Sequence, residues 1–177
     1  MTASPPPAPA AGVVDIETLS RLLRPGDQLI CLDVGTKTVG VALSDGMQMT
    51  ASPISTVRRK KFTADVAAIF SLVARRQIGG VVIGLPVHMS GEEGPRSESS
   101  RAFARNLSRI TPLPIVLWDE RMSTMAAERS LLEVDASRAK RAEVIDAVAA
   151  SYILQGALAR LDTLRGQRRG YPQDDDE

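Results

Sequence analysis

The residues best suited to chemistry are acidic side chains placed at the ends of apolar runs. Asp33 ends one such run, and Asp119 with Glu120 follows another. A fourth acid, Asp146, lies beside an apolar stripe with helical spacing. Carboxylate oxygens are the ligands that hard cations prefer, and two such ions about 3.5 to 4 Å apart can activate water and stabilise the leaving oxygen of a phosphodiester. The acids predict a site for two Mg²⁺ or Mn²⁺ ions that hydrolyses phosphodiester bonds.

Each acid also has an ordinary structural explanation. Asp33 could be a turn-forming residue before Gly35. However, an acid that interrupts an apolar strand must be paired or metal-bound to offset its desolvation. Asp119 and Glu120 could form the acidic start of a following helix, and Asp146 could be a helix-surface acid. The pattern favours a catalytic role for all four acids, and it leaves open which of Asp119 and Glu120 is the ligand.

Basic and hydroxyl side chains near these acids could contact a phosphate backbone. Arginine can hold a phosphate with two parallel hydrogen bonds. The predicted substrate-binding residues are Thr36, Lys37, Arg121, Ser123, Thr124 and, on the rim of a Gly- and Pro-containing loop, His88. A further basic run at residues 58–61 fits a solvated linker and a nucleic-acid contact equally well.

The elements that would position these residues alternate between strand and helix patterns. Short apolar runs joined by turns predict an antiparallel meander at residues 28–33, 39–44 and 49–57. Later segments predict helices at 62–77 and 97–110, buried strands at 81–84 and 113–118, and helices at 123–132 and 137–161. This order predicts an α/β, RNase H-like fold, a mixed five-stranded sheet with helices on both faces. Right-handed crossovers would place the later strands beside the first and gather the acids at one edge of the sheet.

The length of the chain and its two ends indicate the domain limits. With 177 residues the chain can form one well-cored domain, which we predict to span residues 27–162. Residues 1–26 are predicted to be a flexible extension with a short helix at 16–23, because the start is rich in Pro and Ala. Residues 163–177 are predicted to be an acidic, disordered tail that ends in four acidic residues.

Charge and apolar patterning indicate the compartment. The net charge of +1 gives no nucleic-acid signal by itself, but without the last four residues 22 basic side chains stand against 17 acidic ones. The single cysteine, Cys31, lies in an apolar run, so it is predicted to be a buried thiol. No leader segment and no run able to span a bilayer is recognised, so we expect a cytoplasmic protein that binds no membrane.

Four ordered motifs resemble those of one known family. The matching segments are residues 33–42 (DVGTKTVGVA), 84–86 (GLP) with Gly91, 119–124 (DERMST) and 146–155 (DAVAASYILQ). They resemble the YqgF/RuvX family of Holliday junction resolvases, which are also described as pre-16S rRNA nucleases. The resemblance spans about residues 28–161. At His88 and Ser90 the family often has Asn and Asp, a departure that affects the expected substrate contacts and not the metal site.

The resemblance implies an RNase H-like fold akin to RuvC, a divalent-metal nuclease, and a cytoplasmic role in processing the 5′ end of pre-16S rRNA. Carried over by position, the metal ligands are Asp33, Glu120 and Asp146, with Asp119 as the alternative to Glu120. The substrate would be pre-16S rRNA or branched DNA. A two-fold junction would suit a homodimer, whereas an RNA end requires only a monomer.

Two other classes of protein share some of these features. The segment from Asp33 to Thr36 also resembles the first phosphate loop of actin, Hsp70 and sugar kinases, but those proteins clasp a nucleotide between two domains. This chain is long enough for only one such domain, and its sequence lacks a second Gly-rich phosphate loop. A non-catalytic RNA-binding factor of ribosome assembly would keep the same acids without turnover, and a cleavage measurement separates it from a nuclease.

Overall fold

The structure is a computed structural model that describes residues 11–122 and 138–170. Its strands are β1 (Gln28–Val34), β2 (Thr38–Ser44), β3 (Ala51–Arg58), β4 (Ile78–Leu85) and β5 (Ile115–Asp119). Its helices are α1 (Ile16–Leu22), α2 (Phe62–Ser71), α3 (Pro95–Ser108) and α4 (Arg138–Arg169), with a 3-10 turn at Glu120–Met122. The predicted helix at 123–132 and the predictions made for residues 1–10 and 171–177 lie outside the described residues.

The strands form one mixed sheet of five strands in the order β3-β2-β1-β4-β5. Strand β2 pairs antiparallel with both β1 and β3, as the short turns of the meander predict. Strands β4 and β5 join on the other side of β1, and both pairings are parallel. The strand that ends near Asp33 is therefore central in the sheet and covered on both faces.

Alternate residues of each strand face two separate hydrophobic clusters, since successive side chains of a strand point to opposite faces. On one face, Ile30 and Leu32 pack with α2 and α3. On the other face, which we call the α4 face, Leu29 and Cys31 pack with α1 and α4. Full burial of one Leu or Ile side chain contributes about 1.5 to 3 kcal/mol, so both clusters hold the sheet in place. The predicted five-stranded sheet with helices on both faces and the buried Cys31 are confirmed.

Helix α2 is shorter than its apolar spacing predicts. The pattern at residues 62–77 predicts one helix, whereas α2 ends at Ser71. The backbone N–H of Leu72 bonds to the carbonyl of Ile69, and that of Val73 bonds to the carbonyl of Phe70. These tighter turns continue the rotation of the chain, so Val73 remains buried and the apolar periodicity extends past the helix.

The expectation that no segment could span a bilayer is wrong for helix α4 when only length and composition are considered. Its part from Val144 to Arg169 is long and apolar enough by length and composition alone, but half of its most apolar window is buried inside the protein. Ile153, Leu154 and Leu158 pack on the sheet in the α4-face cluster. The apolar composition therefore follows from packing against a central sheet.

The ends of the domain also differ from the predicted limits. Asp15 caps α1 by accepting a hydrogen bond from the backbone N–H of Thr18 at 2.7 Å. Ile16 and Leu19 of this helix are buried in the α4-face cluster. Helix α4 continues past residue 162 to Arg169. The packed unit thus includes α1 and reaches Leu164 on α4, beyond the predicted limits of 27 and 162, whereas residues 166–169 are exposed.

Candidate active site

Asp33 stands between two glycines in a row that crosses the sheet. Its partner on β2 is Gly40. On β4, Gly84 follows Ile83, which is the partner of Leu32. Asp33 has the parity of the β1 residues in the α4-face cluster, so its half-buried side chain stands on the α4 face. Because the glycines have no side chains, they leave room for groups from other elements on both sides of this carboxylate.

The space over Gly40 is filled by the backbone of α4 at Asp146. A Cβ atom at Gly40 would overlap the backbone carbonyl of Asp146 and would lie 3.0 Å from the backbone nitrogen of Ala147. The hydroxyl of Thr38, two residues before Gly40 on β2, donates a hydrogen bond of 2.6 Å to Oδ2 of Asp146. The missing side chain thus lets the helix approach the strand, and Thr38 orients the Asp146 carboxylate. Sequence reasoning placed Asp146 at the site but missed these two supports.

The space over Gly84 is filled by the Glu120 side chain. A Cβ atom at Gly84 would lie 2.9 Å from Oε1 of Glu120 and 2.7 Å from Cδ1 of Ile153 on α4. Oε1 of Glu120 is buried. The Glu120 carboxylate therefore lies on the α4 face over β4, one strand away from Asp33. The Asp146 carbonyl lies over β2, on the other side of Asp33.

Asp119 occupies a different environment from its neighbour Glu120. Its strand parity is that of Ile115 and Leu117, which belong to the opposite face. Its carboxylate accepts the backbone N–H of Arg121 at 2.9 Å and forms an ion pair with Nη2 of Arg121 at 2.7 Å. These hydrogen bonds from the arginine side chain and backbone hold the pKa of the Asp119 carboxyl below its ordinary value. The structure thus brings Glu120, and not Asp119, to the face where Asp33 stands.

Asp33, Glu120 and Asp146 are a donor set that suits a hard divalent cation. Neighbouring strands are about 4.8 Å apart, so the positions over Gly40 and Gly84 are separated by roughly 10 Å with Asp33 between them. Within residues 11–122 and 138–170, no three His, Cys, Asp or Glu side chains are clustered as a finished metal site. The chemistry of these three carboxylates fits a hard divalent cation on the α4 face.

The turn after Asp33 presents two of the predicted substrate-binding residues, Thr36 and Lys37, to solvent. The turn is closed by a hydrogen bond of 2.8 Å from the backbone N–H of Gly35 to the carbonyl of Thr38. Arg59, which the sequence offered only as one member of a basic run, donates from Nη1 to the carbonyl of Gly35 at 2.8 Å. The turn is therefore fixed by the Arg59 side chain in addition to its own backbone hydrogen bond.

The other predicted substrate-binding residues lie beside β5 or outside the described residues. The Arg121 guanidinium, expected to hold phosphate, is engaged by Asp119 and also approaches the carbonyl of His88 at 3.4 Å. His88 is exposed on the loop between β4 and α3. This loop is tied to α3 by the ion pair between Glu93 and Arg101. The predicted contacts of Ser123 and Thr124 lie outside the part of the chain that the structure describes.

The sheet order and the helices on both of its faces define a protein of the RNase H-like class. The profile of the RuvX family, described as Holliday junction resolvase, matches residues 27–160, and the chain belongs to this family. The predicted family, fold and nuclease class are thereby confirmed.

Similar proteins agree with this membership, and a solved structure shares the fold. A Paracoccus denitrificans protein named "Putative pre-16S rRNA nuclease" is 59% identical over 147 residues, which are 83% of this chain and 93% of that protein. A Rhodobacter capsulatus protein of the same name is 62% identical over 130 residues, which are 73% of this chain and 82% of that protein. The structure of T. thermophilus RuvC in complex with Holliday junction substrate aligns with a TM-score of 0.50 at 13% identity, over 77% of this chain and 97% of that chain. This last similarity shows the shared fold.

Proposed function

We propose that this protein is a divalent-metal-dependent endonuclease that processes the 5′ end of pre-16S rRNA, with Asp33, Glu120 and Asp146 as the metal ligands. One observation carries the proposal: Asp33 stands between Gly40 and Gly84, and these glycines admit the other two acids to the same face of the sheet. Like charges on one face of the sheet repel one another, and a bound cation would offset that repulsion.

A divalent cation at these ligands would supply an activated water and would stabilise charge on the phosphate and the leaving oxygen. The chain's own residues prepare this site. Thr38 holds the Asp146 carboxylate through its 2.6 Å hydrogen bond, so the carboxylate is oriented before substrate arrives. Asp119 shapes the turn that carries Glu120 over the sheet, because it binds both the backbone and the side chain of Arg121. Lys37 is exposed on the turn after Asp33, and its charge supports a contact with phosphate.

The proposed substrate follows from the relatives. Those with 59% and 62% identity carry a name that specifies pre-16S rRNA, whereas the family description specifies the Holliday junction. We take the RNA as the physiological substrate and branched DNA as the alternative, and we place the activity in the cytoplasm, where bacterial rRNA precursors are made. An RNA end requires one active site and a symmetric junction requires two, so light scattering with each substrate would distinguish a monomer from a homodimer.

The decisive experiment is a cleavage panel that compares a precursor fragment of 16S rRNA with a four-way DNA junction in Mg²⁺ and in Mn²⁺. Asp33→Asn and Asp146→Asn are expected to abolish cleavage while leaving substrate binding intact. Asp162→Asn is the matched control, because Asp162 is an exposed acid on the same helix as Asp146. Equal cleavage by the wild type and Asp33→Asn would refute the catalytic assignment. Tight RNA binding by a wild type that cleaves neither substrate would identify a non-catalytic assembly factor instead.

A further inference from the structure

The basic run at residues 58–61 begins on the same face of the sheet as the acids. Arg58 pairs with Thr38 across β3 and β2, and antiparallel partners point to the same face. Thr38 is the residue that hydrogen-bonds to Asp146, so Arg58 stands one strand away from the support of that carboxylate. The Arg58 side chain is exposed. Its charge is therefore available to a ligand that reaches Asp146.

Arg59 follows Arg58 in the chain, so its side chain points to the opposite face of the sheet, and it has a structural role. Its backbone N–H bonds to the carbonyl of Lys37 at 2.8 Å, and its Nη1 bonds to the carbonyl of Gly35, also at 2.8 Å. Its guanidinium carbon lies 6.0 Å from the centre of the Phe103 ring, at the limit of a cation–π contact. Arg59 thus fixes the turn after Asp33 and is not placed to hold substrate.

Lys60 and Lys61 lie where cations do not help the fold. Lys61 is the N-cap residue of α2, and its own side chain makes no capping hydrogen bond. The positive end of the helix dipole disfavours cations there. The nearby acid Asp65 is buried, and its Oδ1 accepts the backbone N–H of Lys60 at 2.8 Å. Both lysine side chains are exposed, so their charges favour an anion from outside the protein.

We propose that Lys37, Arg58, Lys60 and Lys61, which we call the basic rim, bind successive backbone phosphates of the nucleic-acid strand beside the bond to be cleaved. The proposal deepens the function proposed above, since it requires a polynucleotide at the acids, but it does not require that cleavage occurs. Phosphate contacts set the register of a strand and carry no sequence information. The rim therefore aligns the strand with the acids without regard to its sequence, and it requires a substrate longer than the cleaved dinucleotide.

The test measures binding without cleavage, using the Asp33→Asn chain in EDTA and a fluorescently labelled single-stranded RNA from the precursor 5′ region. The rim variant combines Arg58→Gln, Lys60→Gln and Lys61→Gln. The matched control combines Arg75→Gln and Arg76→Gln, because these arginines are exposed in the turns beyond the other end of α2. Each phosphate contact on a single strand adds about 0.7 to the slope of log affinity against log salt, so the rim variant is expected to lower that slope by about two. Its affinity at low salt should fall by at least about tenfold.

The outcomes separate this proposal from the proposed function. Equal salt slopes for the rim variant, the control and the parent would overturn the basic rim, whatever the cleavage panel shows. A lower slope for the rim variant alone supports the rim even if Asp33 proves unnecessary for cleavage. The charge-conserving set Arg58→Lys, Lys60→Arg and Lys61→Arg should restore the slope, and equal thermal midpoints of all variants would exclude unfolding as the cause. Failure of this set to restore the slope would also count against the rim.

Discussion

At the scale of single residues, Asp119 and Glu120 are neighbours in sequence with separate tasks. Glu120→Gln is expected to reduce the turnover number by more than about 100-fold, because it removes a proposed metal ligand, whereas loss of a supporting contact typically costs about 10- to 100-fold. Asp119→Asn should fall within that smaller range, since Asp119 acts through the turn that it forms with Arg121. Single-turnover cleavage at saturating Mn²⁺ measures both. A larger loss of activity for Asp119→Asn than for Glu120→Gln would assign Asp119, and not Glu120, as the metal ligand.

Thr38 offers a second test at this scale, because its hydroxyl is the donor to Asp146. Thr38→Val keeps the shape of the side chain and removes the donor, and we expect it to weaken metal binding by about 10- to 100-fold. Thr38→Ser retains the hydroxyl and should stay within a few-fold of the wild type. Metal titrations followed by calorimetry provide the measurement. Indistinguishable metal affinities for the valine and serine variants would show that the hydrogen bond does not tune the site.

At the scale of elements, Gly40 and Gly84 should fail in different ways when a methyl group is added. Gly40→Ala would press against the backbone of α4 at Asp146, and backbone cannot move aside as a side chain can. We expect it to destabilise the fold by about 1 to 3 kcal/mol or more. Gly84→Ala meets the ends of the Ile153 and Glu120 side chains, so it should cost less stability but displace a proposed ligand.

The measurement is urea unfolding together with cleavage for both glycine variants. Gly84→Ala is expected to retain most of the unfolding free energy and to lose most of the activity, whereas Gly40→Ala loses both. A Gly84→Ala protein with full activity would show that Glu120 need not occupy the position over Gly84.

At the scale of the whole molecule, metal binding should appear as thermal stability. A cation at 100 times its dissociation constant stabilises the folded state by about 2.7 kcal/mol, which for a chain of this size raises the melting temperature by several degrees. Asp33→Asn should abolish this shift, because it removes a proposed metal ligand. Asp162→Asn should keep the shift. Differential scanning fluorimetry with and without Mn²⁺ makes the comparison, and a full shift in Asp33→Asn would contradict the ligand set.

Much of this molecule could be predicted from local patterns. The short apolar runs predict the meander and the parallel strands, because burial on one or both faces determines which consecutive residues are apolar. The acids at the strand ends predict a site by the same local reasoning, and their role as metal ligands stays a prediction. The choice between Asp119 and Glu120 could not be made, since it depends on a turn in which the chain leaves the strand. Nor could the role of Gly40, because its contact with α4 joins segments far apart in sequence.

The hydrogen bond between Thr38 and Asp146 joins residues 108 positions apart, and the later of them lies on the last helix of the described fold. During translation the strand with Asp33 leaves the ribosome before α4, because β1 precedes α4 in the chain. A nascent chain that lacks α4 has neither Asp146 nor the packing that covers the α4 face of the sheet. The proposed acid set is therefore complete only after α4 has left the ribosome and packed on the sheet.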